Sequence, residues 1–495
     1  MIQQNLKRMG ELSTYYFLNN VFRNILSFLF VPIYTSYLTP ADYGIIGILA
    51  VSRSWLEKFI SAPIGNGITR FYHNPEIKDH KGSVIFTAYC FCLIQILIPV
   101  IVILFFNKKI SGIILGDEKL FNLVKIYSFV LFLHPFSTLF RSLLRIKGKA
   151  KYILLVSITS MILTSVSQII MLVVFKLGIK SMIFGSILVA TTDIILFSPI
   201  ILKEMTFKIN WKHFRALLVY GYPIMISATI LTSLNFFERY FLRISFGLNI
   251  LGIYTFGNKM ASVMGFIFTP LKQAFLPIVF KMEENRNSQE AFLKKSLVYI
   301  YSLSIFIWLI FSIFAKEAVE FLARNKDFWK AWEVVPILGF FHLQVFLSLY
   351  VSNTIVMAKN SILLAFTSIC KLIFSVILLI LLVPYLGIVG AALAILSGQI
   401  VLNIMRTLIS MRMYNQDINY CFLIFLSLYA FIFYCLIRYI NNLSMHFFLA
   451  ILLKLIIAIS SYMVILIVFR VITKKRIQII FNLIRKKVSK SKVKI

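Results

Sequence analysis

Between Phe236 and Lys272 the chain sets five charged side chains, Glu238, Arg239, Arg243, Lys259 and Lys272, among residues suited to contact with lipid. A charge at the centre of a bilayer costs roughly 2.5 to 3.5 kcal/mol on insertion scales, so it is kept where it faces a cavity or a partner. Four of the five are cations. Guanidinium and ammonium groups at that depth can replace the hydration of an anionic group that must leave water, a phosphate or diphosphate above all. The first half of the chain repeats the theme with Arg23, Arg53, Glu57, Lys58 and Arg70. Arg53 and Glu57 are spaced i, i+4 and share one helical face, so they are placed to pair, whereas Lys58 lies one residue further round and addresses another wall. Together these residues predict a cationic path. Plainer readings compete: an ion pair locking two helices for Arg53 with Glu57, and snorkelling to the interface for Arg70, Arg239, Arg243 and Lys272.

The elements that must position them are membrane helices. The 495 residues are 60% hydrophobic and only 14% charged, against about 45 to 50% apolar content in soluble domains. Crossing the hydrocarbon takes roughly 20 residues of helix, and fourteen runs of that length occur, the first at 13–38 and the last at 447–471. The first run has no small-residue cleavage site and reads as a retained span. Cys90, Cys92, Cys370, Cys421 and Cys435 all fall inside apolar runs and read as small hydrophobes. The net charge of +33 is explained by topology. Lys and Arg divide 30 to 12 between the two sides, with Arg141 and Arg406 counted to the loops they border, in favour of the side bearing the N-terminus. That predicts both termini in the cytoplasm and explains most of the net charge without nucleic acid.

The chain also repeats itself. Gly44 in YLTPADYGII aligns with Gly252 in FGLNILGIY, Pro63 with Pro270, Gly178 in VFKLGI with Gly387 in VPYLGI, and Lys149 with Lys359, all at offsets of about 208 residues. Six spans separate the halves, so both share one orientation, the parallel type of repeat. The predicted fold is an all-α integral membrane protein of about 14 transmembrane helices. It divides into an N-lobe, 1–207, a C-lobe, 208–415, an appended helix pair, 416–472, and a basic cytoplasmic tail, 473–495. In this alignment Lys259 and Lys272 lie on the span equivalent to the one carrying Arg53 and Lys58.

The stretches VPIYTSYLTPADYGIIGI, IGNGITRFY and FFERYFLRISFGLNILGIYTFGNK resemble polysaccharide flippases of the Wzx type, within the multidrug, oligosaccharidyl-lipid and polysaccharide exporter superfamily. The resemblance runs the length of the chain, though many members carry Asp where this sequence has Glu238. It implies translocation of an undecaprenyl-diphosphate-linked oligosaccharide across the bacterial cytoplasmic membrane, for O-antigen, capsule or exopolysaccharide synthesis, by alternating access. It implies as partners the bilayer, a polysaccharide polymerase and a chain-length regulator, and no cofactor. The resemblance carries over the pair Glu238 and Arg239; with it, the charges read above give as substrate-binding residues Arg23, Arg53, Lys58, Arg70, Arg239, Arg243, Lys259 and Lys272, with Glu57 and Glu238 for ion coupling or ion pairing.

Two other functions compete. A drug and cation antiporter of the same superfamily would favour an acidic or aromatic cavity, against the cationic bias seen. A membrane enzyme of the same pathway, a polymerase or ligase, would carry a large external loop, whereas the longest outward connection, about 315–332, is short. No GxxxxGK[ST] phosphate loop or HExxH pair occurs, and no nucleophile, base and acid stand together.

Overall fold

The computed structural model describes residues 2–72, 80–281, 286–357 and 361–413, with scattered residues between 425 and 456. The expected helix pair at 416–472 and the tail at 473–495 therefore lie almost wholly outside the described residues. Within them the chain is all-helical: α1 (Ile2–Leu29), α2 (Val31–Tyr37), α3 (Pro40–Phe71), α4 (Lys81–Phe105), α5 (Asn107–Leu115), α6 (Phe121–Ile146), α7 (Ala150–Val173), α8 (Ile179–Leu202), α9 (Trp211–Lys281), α10 (Arg286–Ile313), α11 (Ala315–Leu322), α12 (Val335–Met357) and α13 (Ser361–Met413). These cover each of the first twelve expected spans, because α9 and α13 are each two helices joined at a kink, at Gly247 and Gly387. Short helices, α5, α11 and a 3₁₀ segment at Lys326–Glu333, lie in connections between the long helices.

Local sequence explains the boundaries. In TPAD, Thr39 and Asp42 form a reciprocal capping box, with Pro40 at the first helical position, so α3 starts sharply. The repeat is visible in the backbone itself. Gly178, ahead of α8, has φ 54° and ψ −134°, and Gly387, 209 residues later, has φ 55° and ψ −130°. Only glycine adopts that conformation readily, so the two halves share the same forbidden turn.

Two compact units emerge. One holds Met1–Pro277 with Lys316–Met413, and the other holds Ile278–Ala315 with Tyr414–Ile495. In the first, a core of Ile64, Cys92, Ile96, Phe140, Phe197 and Phe214 fills the space among α3, α4, α6, α8 and the start of α9. A second core joins Ile48 and Leu49 of α3 to Leu242, Leu251, Tyr254 and Leu338 of the C-lobe. In the second unit, the Tyr301 and Ser427 hydroxyls are 2.7 Å apart and Trp308 packs against Tyr434. The outer faces stay apolar: only 28% of the Ile179–Leu202 window and 22% of the Ile362–Arg412 window is buried by protein, at mean hydropathies of 1.9 and 2.9. Surface of that kind requires lipid.

Candidate cationic site

The densest group of charges in the described residues lies in the N-lobe, where five helices contribute one wall each. On α6, His134, Ser137, Thr138 and Arg141 recur at i, i+3, i+4 and i+7 and so form one polar stripe on an apolar helix. On α3, Arg53 and Glu57 stand one turn apart, with Arg53 Nε 3.7 Å from Glu57 Oε1. His134 Nδ1 lies 2.6 Å from the same oxygen. Two helical turns on from His134, Arg141 donates to Asp193 of α8 at 2.6 Å and to Ser157 of α7 at 3.1 Å. Ser137 supplies a second donor to the same Asp193 oxygen at 2.9 Å. From α1, Arg23 lies within electrostatic reach of Arg53, Arg141 and Asp193 at once, and Lys58 within reach of Glu57.

Three arginines and a lysine thus face two carboxylates, an excess of two positive charges with the histidine neutral. Three buried atoms in the group make no hydrogen bond: the Arg53 Nε–H, the Asp193 Oδ1, and the Glu57 Oε1, which Arg53 and His134 approach only as charge partners. A buried unmet guanidinium donor is costly unless a ligand supplies the acceptor. Arg53 also borders a small cavity, mostly apolar, lined by Leu49, Leu56, Val124, Tyr127 and Leu131 with Ser52 and Ser128. The arrangement therefore offers donors for an anion beside a largely apolar wall.

The remaining expected residues are placed elsewhere. Glu238 is buried and takes the Tyr254 hydroxyl proton as a hydrogen bond, with Arg239 and Lys371 as its charged neighbours. Arg239 Nη1 donates to the Gly47 carbonyl of α3 at 3.0 Å. Arg243 Nη2 donates to the Ile113 carbonyl of α5 and stacks over Tyr240 at 4.8 Å. Lys259 lies 5.9 Å over the Tyr34 ring, and Tyr34 in turn donates to Gln168 at 2.9 Å. The side chains of Arg70 and Lys272 lie outside the described residues.

His134, Arg141 and Asp193 join the site without having been picked as site residues. The signal for His134 and Arg141 is the spacing on α6, but Arg141 counted to the loop it borders reads only as a topology signal. In the second half of the chain Arg406 is hidden the same way, although it stands on the part of α13 equivalent to α8 and not to α6. It donates to Thr367 at 3.2 Å, Ser348 at 3.1 Å and Ser368 at 3.3 Å. Nearby, Lys371 donates to Gln399 at 2.5 Å, and Asn403 donates to Gln344 at 3.0 Å. Ser157 and Thr367, like Asp193 and Asn403, stand 210 residues apart, so the two nodes occupy equivalent helices of the repeat. The N-lobe node carries the acid and the C-lobe node an amide.

The polysaccharide biosynthesis protein family model matches residues 35–332, which includes α3, α6, α8 and all of α9. No curated protein sequence matches the chain. Among solved structures it is similar to the lipid II flippase MurJ in an inward closed conformation, at 16% identity and a TM-score of 0.71, over 93% of this chain and 98% of that one. An inward-facing multidrug resistance MATE transporter of the MOP superfamily aligns at 16% identity and a TM-score of 0.63, over 80% and 94%. A MOP superfamily transporter from Pyrococcus furiosus, described by the reverse polarity of its binding pocket, aligns at 16% identity and a TM-score of 0.56, over 82% and 95%. With its all-helical fold, the backbone turn shared by Gly178 and Gly387 and a family match over more than half its length, this chain belongs to the polysaccharide biosynthesis protein family and is a multi-pass membrane protein with the MOP transporter fold.

Proposed function

We propose that the chain flips an undecaprenyl-diphosphate-linked oligosaccharide from the cytoplasmic to the periplasmic leaflet of the bacterial inner membrane, with both termini in the cytoplasm. The observation that carries this reading is the convergence of Arg23, Arg53 and Arg141 from three helices, with the Arg53 Nε–H left without an acceptor. A diphosphate supplies multiple acceptor oxygens and two or more negative charges, and Arg forks match phosphate geometry. The largely apolar wall beside Arg53 suits the hydrocarbon next to the phosphate. Lys58 and Lys259, with Arg70 and Lys272, extend the path, and the product feeds a polymerase and chain-length regulator.

The cargo's own charge bears on the driving force. Moving two negative charges outward down an inside-negative potential releases about 4.6 kcal/mol per 100 mV. Glu57 is the acid placed to couple a proton to this movement, because it shares one oxygen between His134 and Arg53. Loss of its negative charge would release Arg53 for the anion.

The test is restoration of surface polysaccharide in a bacterium lacking its own flippase, at equal membrane levels. Wild type is expected to restore export, and Arg53→Ala and Arg23→Ala to fail. Failure of wild type across several polysaccharide types would overturn the reading, and export undiminished in both variants would remove the cationic site from it. Unchanged transport by Glu57→Gln under an imposed proton gradient would exclude coupling through that residue.

A further inference from the structure

The two lobes meet along α3 and α9, and the contact differs at its two ends. At the end bearing the Leu38–Thr39 turn and the Gly247 kink, backbone rests on backbone. A Cβ at Gly252 would overlap the Pro40 carbonyl oxygen and lie 3.0 Å from the Gly44 nitrogen. A Cβ at Gly44 would overlap the Leu248 carbonyl and lie 3.2 Å from the Gly252 nitrogen. Gly44 and Gly252 are equivalent positions of the repeat, so the crossing sits where the two lobes' symmetry brings like against like. Small residues that admit such close approach are a general device of membrane helix packing.

The same end carries the arginine contacts. Arg239 reaches from α9 to the Gly47 carbonyl, which has no side chain to shield it, and Arg243 reaches to Ile113 in the last turn of α5. The C-terminal end of a helix is its negative end, so a cation is favoured there. Arg239 does not turn back on Glu238 alone, because the Tyr254 hydroxyl already bonds that carboxylate. Further contacts between the lobes gather here: Tyr43 against Phe328 at 4.9 Å, and the Arg324 backbone N–H donating to Thr35 at 3.1 Å. At the opposite end, α3 and α9 approach through Gly67 and Gly221, which lie against Leu217 and Pro63, with no arginine-to-carbonyl bond between them among the described residues.

We propose that Arg239 and Arg243, together with the Gly44–Gly252 crossing, form a latch that holds the lobes shut at the outer end and must release for that end to open. Carbonyls are neutral acceptors. They bind a guanidinium more weakly than a carboxylate does, so the contact closes the seam without freezing it. The outer placement follows from the distribution of Lys and Arg, which sets the Leu38–Thr39, Ile113 and Gly247 connections on the side away from the termini.

The latch is tested first without any cargo, so this arm is independent of the proposed function. In full-length protein whose own cysteines are replaced by serine, Thr255→Cys places a single thiol in the seam, against Gly47. Its labelling by a membrane-impermeant thiol reagent is compared in intact cells and inside-out vesicles, at matched thermal stability. Adding Arg239→Gln with Arg243→Gln is expected to raise labelling from outside roughly tenfold or more, the weight of one charge-assisted bond. Labelling that rises from neither side overturns the latch, and labelling that rises only in inside-out vesicles overturns its outer placement. In a second arm, Gly47→Cys is paired with Thr255→Cys. A Cβ at residue 47 lies 3.2 Å from that of Thr255, slightly under the usual 3.5 to 4.5 Å of a disulfide. Oxidation is expected to stop export and reductant to restore it. Export by the fully cross-linked protein would show that this seam does not open.

Discussion

Arg53→Ala separates a binding role from a structural one, because the structure shows what is left behind. Glu57 keeps His134 Nδ1 at 2.6 Å, so removing Arg53 leaves its carboxylate one close partner. The Arg53–Glu57 contact is 3.7 Å, too long for a hydrogen bond, and Arg53 Nε has no other acceptor. Its removal should therefore cost the fold little, and the melting temperature should stay within about 1 °C of wild type, the shift expected for about 1 kcal/mol or less in a chain of this size. A bound diphosphate would lose one charge-assisted bond of about 1.5 to 3 kcal/mol, which is roughly ten- to a hundredfold in affinity. The assay is titration of purified protein in detergent with farnesyl diphosphate, a short isoprenoid diphosphate, followed by intrinsic tryptophan fluorescence, with farnesol as the uncharged control. A dissociation constant within twofold of wild type, at unchanged melting temperature, would refute the assignment of Arg53 to the anion. A tenfold loss shared equally by farnesol would refute the electrostatic argument.

Arg141→Ala should behave oppositely. It leaves Asp193, 1% exposed, with Ser137 as its one remaining donor, and breaking a buried pair costs about 3 to 5 kcal/mol. Combining it with Asp193→Asn should recover most of the lost melting temperature, and no recovery would refute the pairing. Gly252→Ala should abolish stable lobe packing, because the methyl meets backbone. Gly178→Ala and Gly387→Ala meet nothing within 4 Å and should cost only the backbone strain of that glycine-favoured conformation, about 1 to 3 kcal/mol, read by thermal melting. In proteoliposomes, flipping of a diphosphate-linked lipid should rise when a potassium diffusion potential makes the cytoplasmic side negative. Rates independent of potential would mean that the cargo's charge is compensated by a co-transported ion.

Much of this protein was legible in its sequence, because the features concerned are local. Hydropathy over about 20 residues marks a span whatever surrounds it, which is why the first twelve runs fall on helices. The turn at Gly178 and its copy at Gly387 were found as a repeat because each depends on a single residue type at a single backbone position. The pairing of Arg53 with Glu57 is set by helical spacing alone. What the tertiary structure decided is where each charge finds its partner. Arg243 meets a carbonyl 130 residues earlier in the chain, Arg239 one 192 residues earlier, and Arg141 an acid 52 residues on. A charge in an apolar helix announces that it needs a partner, but electrostatics acts through space and the sequence orders residues only along the chain. The same cation reads as path, latch or structural pair until the neighbouring helices bring up an anion, a carbonyl or a carboxylate.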